Sequence, residues 1–251
     1  MVEGTNSDLR GRKMHRNSRA RNHPVVIFLS FVLPSFLGKK LVSLFPKMPQ
    51  DYYAERPLFG GKITSTFPPR FEDVSNIRQV PDHQEAFVDP ARDESLIFEL
   101  LELKRDVDDD GSALWFLQDL AMEQDAEGGM VIEQSGVLEA PGLCYRSVPA
   151  IVTSAIGQMA ISKGRQGREA QNIVRVYLAN LRLKEVGTDV LITAYEPLVI
   201  NPLSESANAV GAGVAAPAEQ SGLTTTAEVF KLAVSSFKVN DWSLFGGGNA
   251  A

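Results

Sequence analysis

Cysteine is nearly absent from this chain of 251 residues, Cys144 being the only one, so no internal disulfide can form and no cysteine-rich metal site can be built. That fits a reducing compartment. Histidine is scarce too: His15, His23 and His83 are the whole supply, which leaves a metal cluster or a charge-relay triad at most His83 in the body of the chain. No serine stands in a nucleophile-elbow pattern. No apolar run is long enough for a membrane span, since Val25 to Leu37 counts thirteen residues broken by Pro34, where about 20 are needed. Beyond residue 47 the chain is also poor in positive charge, with 16 Lys and Arg against 29 Asp and Glu in residues 48–251. So acidic a body repels phosphate backbones, and no basic stripe interleaved with aromatics offsets it, which argues against nucleic-acid binding. The expected partner is a basic protein surface.

Three motifs resemble ligand sites and fail on inspection. Asp106-Val-Asp108-Asp-Asp110-Gly111 opens like an EF-hand loop, but the twelfth position is Leu117 rather than a bidentate glutamate, so it reads as a solvated acidic loop and helix cap. Gly211-Ala-Gly213-Val-Ala-Ala216 resembles a dinucleotide fingerprint, yet no strand precedes it and Pro217 interrupts the helix it would need. Gly60-Gly61-Lys62 is followed by Ile63 where a phosphate loop requires Ser or Thr. It reads as a turn into a strand. No metal and no cofactor are implied.

What is present is an ordinary globular composition, 44% apolar, ample for one core. The first 47 residues differ from the rest, with nine Lys and Arg, two Asp and Glu, and the Val25–Leu37 run. They form a basic and apolar extension, read either as a targeting segment or as sequence upstream of a functional start at Met48. After it, Ile63, Ser65 and Phe67 alternate with Lys62, Thr64 and Thr66 as in a half-buried strand. Gln84–Val88 and Ser95–Leu103 read as further strands, although the apolar run of the second also suits a short helix. Ser112–Met122 places Ala113, Leu117, Leu120 and Ala121 at helical spacing, with Asp110 as a cap and Gly128-Gly129 as a stop. Ala150–Lys163, Asn172–Lys184 and Asp189–Tyr195 suggest an antiparallel meander. Residues 197–222, rich in Pro, Ser, Ala and Gly, read as a long surface loop without core. Leu223, Ala227, Phe230, Val234 and Phe237 then form the strongest amphipathic stripe, a helix that should cover the sheet. The expectation is a single domain over residues 48–251.

Within the stretch from Arg56 to Leu103, PDHQEAFV sets Asp82 and Glu85 three residues apart, after a proline and at the start of a strand. Two carboxylates can share a rigid rim there. A turn cap and a solvated acid would use the same residues.

The same stretch resembles the Ran guanine nucleotide release factors, or Mog proteins, through LFGG, PP-x-F-x-DVS, R-x-VPD-x-QE-x-F and ES-x-I-x-x-LLEL. The likeness continues more weakly through ALWFLQDL and LANLRLKEVGTDVLIT to WSLFG, and leaves out the first 47 residues. It implies an α+β fold, an antiparallel sheet sandwiched by helices as in PsbP-type proteins. It also implies binding to the GTPase Ran, with other Ran-binding proteins as further partners, in nucleus and cytoplasm and without bond-making chemistry. Carried over residue by residue, the partner-contacting acids fall on Asp82 and Glu85. Asp73, Arg78, Gln84 and Phe87 belong to the same motif, with Arg78 bracing the carboxylates and Phe87 anchoring the strand. Two rivals stay open. A PsbP-like structural subunit of a plastid lumen would use the N-terminal extension as a transit peptide, and a small hydrolase would use Asp82, His83 and Glu85.

Overall fold

A computed structural model describes residues 51–75, 79–138, 142–145, 147–162 and 167–245. The extension over residues 1–47, the candidate start at Met48, and Arg78 lie outside the described residues.

The chain opens with a hairpin, β1 (Ala54–Leu58) and β2 (Ile63–Phe67), then the short β3 (Glu72–Asp73). β4 (Gln84–Asp89) and β5 (Glu94–Glu102) follow, and then α1 (Ser112–Glu123). Next come β6 (Val131–Leu138), the two-residue strands β7 (Cys144–Tyr145) and β8 (Val148–Pro149), and the long β9 (Ile151–Ile161), β10 (Asn172–Leu183) and β11 (Thr188–Ile200). The chain closes with α2 (Ser206–Val210), β12 (Gly213–Val214), α3 (Thr226–Ser235) and β13 (Lys238–Val239). The main sheet runs β3-β4-β5-β11-β10-β9-β6 with β12 on β11, and β1-β2-β13 make a smaller one. Every pairing is antiparallel.

Two cores flank the main sheet. On one face α1 buries Ala113, Phe116, Leu117, Leu120 and Ala121 against Ile97, Met159, Val176, Leu178 and Tyr195. On the other, α3 and the small sheet bury Val229, Phe230, Ile63 and Phe67 against Phe87, Phe98, Tyr177 and Leu181. This is the expected α+β sandwich. It also settles the ambiguous run at 95–103: β5 lies between two apolar layers, so both of its faces take large side chains and helical and strand patterns look alike.

Four details differ from the sequence reading. α1 starts from Gly111 with no side-chain cap, so Asp110 does not cap it; Ser112 Oγ instead donates to the Asp109 carbonyl at 2.9 Å. The helix stops before Gly128-Gly129. Asp125 adopts φ 54, and the Ala126 and Asp125 N–H groups donate back to Ala121 and Met122 oxygens at 2.8 and 3.1 Å, a Schellman stop with aspartate in the glycine role. β11 runs through Pro197 to Ile200; Pro197 stands opposite Val174 of β10 at the register shift between Ile173 and Val174, a bulge, where a strand tolerates proline. Residues 197–222, finally, are fastened rather than loose. Asn172 Nδ2 donates to Ser204 and Ser206 Oγ, both at 3.0 Å, and Ile200, Ser204, Ser206 and Ala218 are buried.

Candidate functional site

The acidic corner is built from the β1–β2 turn and the entry to β4. In the turn, Phe59, Gly60 and Gly61 take φ 49, 66 and 83 in succession. Two glycines make this run of left-handed backbone affordable, while at Phe59 a side chain raises the local cost by about 1–2 kcal/mol. Glu85 meets that cost by accepting a short hydrogen bond from the Phe59 N–H. The carboxylate is therefore half-buried, and burial pushes its pKa up; the Phe59 N–H pulls it back, and the negative charge of Asp73 raises it again.

Asp73 sits in β3 opposite Phe87 of β4, so it shares the Glu85 face of the strand pair. It is exposed, and its Oδ1 accepts from Ser75 N at 2.8 Å. Asp82 lies in the turn that the Gln84 N–H closes on the Pro81 oxygen at 2.9 Å. It is exposed and makes no hydrogen bond or ion pair among the described residues. The corner thus holds three carboxylates in different states: Asp82 exposed, Asp73 turned onto its own backbone, and Glu85 braced beneath the turn.

Strand alternation sends Gln84 to the opposite face. There Gln84 Nε2 donates to Glu99 Oε1 at 2.7 Å, and His83 Nε2 stands 3.6 Å from the same oxygen. His83 is drawn to Glu99 and away from Glu85, so the Asp82-His83-Glu85 proton-transfer set is not assembled. Phe87 anchors the strand as expected, buried edge-on against Phe67 with ring centroids 4.9 Å apart. Arg56 is the surprise of the corner, its guanidinium 5.2 and 5.4 Å from the Phe67 and Phe87 rings. Arg78 falls outside the described residues.

Sequence reasoning missed Phe59, because a backbone N–H leaves no mark in side-chain chemistry. It also missed Glu99, for which a signal existed: Glu99 interrupts the apolar run SLIFELL, and a charge placed there in a strand covered on both faces must be buried.

Comparison with known proteins identifies relatives of the chain as a whole. The family model of the Ran-interacting Mog1 protein matches residues 56–197. A Ran guanine nucleotide release factor of Danio rerio is 38% identical over 157 residues, covering 61% of this chain and 82% of the relative. A probable Ran guanine nucleotide release factor of Dictyostelium discoideum is 31% identical over 200 residues, 78% of this chain and 97% of the relative. The crystal structure of the Saccharomyces cerevisiae Ran-binding protein Mog1p superposes with a TM-score of 0.54 at 22% identity, over 78% of this chain and 100% of that one. That likeness speaks for the fold.

Proposed function

We propose, from the premise that this chain belongs to the family of Ran-interacting Mog1 proteins, that it binds the small GTPase Ran and promotes release of its guanine nucleotide, serving nucleocytoplasmic transport. The observation that carries the reading is the family match over residues 56–197, which contains the whole acidic corner. Such a factor makes and breaks no covalent bond. It acts by holding the opened, nucleotide-free GTPase more tightly than the loaded one, so that binding and nucleotide release are coupled by differential affinity. Residues 48–251 serve as the Ran-binding domain, with the basic extension outside it, and the protein works in nucleus and cytoplasm. The names of the relatives favour this reading over a PsbP-like lumenal subunit.

In the contact we assign, Asp82 meets a basic Ran side chain directly, Asp73 and Glu85 add negative potential, and Gln84 holds the entry of β4. Arg78 completes the motif. Desolvated contacts of this kind contribute about 1–3 kcal/mol each, so Asp82→Lys should weaken Ran binding by roughly 5- to 150-fold. Glu85→Lys should weaken binding comparably and lower the melting temperature as well, since it removes the acceptor of the Phe59 N–H. Calorimetric titration of Ran with each variant, beside thermal unfolding, checks both. A double variant that binds Ran with unchanged affinity would refute the site.

A further inference from the structure

Across the sheet from Glu85, a cavity of about 230 Å³ opens between α1 and strands β5, β10 and β11. Its volume lies below the roughly 300–1,000 Å³ of sites for drug-sized ligands. Its walls are largely apolar, with Ile97, Leu101, Trp115, Leu178 and Leu191 among them. Its charged groups are mostly acidic: Glu99 inside, with Glu102, Asp119 and Glu123 around the opening, against Lys104. Lys104 is already engaged, its ammonium 5.0 Å from the centre of the Trp115 ring. Glu99 is 4% exposed and pairs with no Lys or Arg among the described residues. A carboxylate buried this deeply without a cation is costly. Among the described residues no group of three His, Cys, Asp or Glu could hold a metal ion, so the missing charge is not set up for one.

We propose that this cavity is a binding site for an alkylammonium group, a short aliphatic chain that lies along Trp115 and the leucines and delivers its positive end to Glu99. The apolar walls take up the chain and exclude a bare inorganic ion. The acid selects the amine over an alcohol of the same shape. A free small amine and a lysine side chain share this chemistry. The site lies on the Gln84 side of β4, opposite the Ran-contacting acids, and does not depend on the Ran assignment.

The state of Glu99 sets the pH at which the site works. Burial pushes its carboxyl up to about 7, against the opposing hydrogen bond from Gln84 and with a further push from the charge of Glu123. Glu123 is itself raised, by burial and by Asp119, and burial with the charges of Glu99 and Glu123 holds the Tyr195 hydroxyl neutral well beyond its usual range. His83 faces Glu99 from β4. Raising the pH through 7 therefore charges Glu99 and strengthens the site for a cation.

The test is a titration of the full chain, carrying Trp242→Phe so that emission comes from Trp115, with n-butylammonium, n-butanol and the amide of Nα-acetyl-lysine. We expect saturable binding of n-butylammonium, at least fivefold tighter at pH 8.5 than at pH 6, at least tenfold tighter than n-butanol, and lost in Glu99→Gln. Binding of the lysine amide as well identifies a lysine side chain as the occupant, whereas binding of the free amine alone identifies a small amine. Failure of both to bind, or equal binding of amine and alcohol, overturns the proposal. The comparisons of ligand and pH in the protein with native Glu99 decide the matter even if Glu99→Gln fails to fold.

Discussion

At the scale of single residues, two glutamates of neighbouring strands bear opposite relations to the fold. Glu85 gives its charge to the backbone of a strained turn, while Glu99 is buried with no Lys or Arg to meet it among the described residues and resists ionising. The Glu99 carboxyl titrates near 7 in the folded chain and near 4.5 in the unfolded one. Between those values the folded state holds the extra proton, so stability falls as pH rises through the window and the deficit is complete above 7. The shift corresponds to a ceiling on the order of 3 kcal/mol. Glu99→Gln, which keeps the shape without the charge, should melt close to the wild type at pH 4.5 and above it at pH 8. Thermal unfolding followed from pH 4.5 to 8 would show the two curves diverging, and parallel curves would contradict the assignment.

At the scale of elements, the β1–β2 turn connects sequence to site most directly. LFGG was legible as a turn because glycine pairs mark left-handed backbone. Its purpose was not legible, because that depends on an N–H of residue 59 meeting an acid 26 positions away. Gly61 carries φ 83, so Gly61→Ala should destabilise by about 1–2 kcal/mol. It should also weaken Ran binding with Asp82 intact, because the turn positions Glu85. Unchanged Ran affinity in Gly61→Ala would separate the turn from the site. The other elements show the same boundary between readable and hidden. β2, β4 and β9–β11 followed from alternation and apolar runs, and α3 from its stripe, with Thr225 and Glu228 closing a capping box. β6 was invisible: all eight of its residues are exposed at the sheet edge, and an edge strand without a buried face carries no period. Residues 197–222 looked loose because small polar residues usually are, and here Asn172, Ser204 and Ser206 tie them down through partners distant in sequence. The stop of α1 at Asp125 was misplaced for a related reason, since aspartate takes the left-handed position less often than the glycines that follow it.

At the scale of the whole molecule, residues 48–251 carry an excess of thirteen acids over Lys and Arg. A surface so charged attracts a basic partner over distances beyond contact, and the attraction fades as salt shortens the Debye length from about 10 Å at 0.1 M to 3 Å at 1 M. Association with Ran should therefore slow as salt rises while dissociation changes less. Stopped-flow mixing at several ionic strengths measures this directly, and a salt-independent association rate would show that long-range steering plays no part.

We propose that this chain opens Ran through its acidic corner. The most direct test is release of a fluorescent guanine nucleotide from purified Ran, with residues 48–251 added as wild type and as the Asp82→Lys/Glu85→Lys double variant. Release should accelerate with the wild type and stay at the intrinsic rate with the variant. Equal release with both, or no acceleration by the wild type, would contradict that proposal.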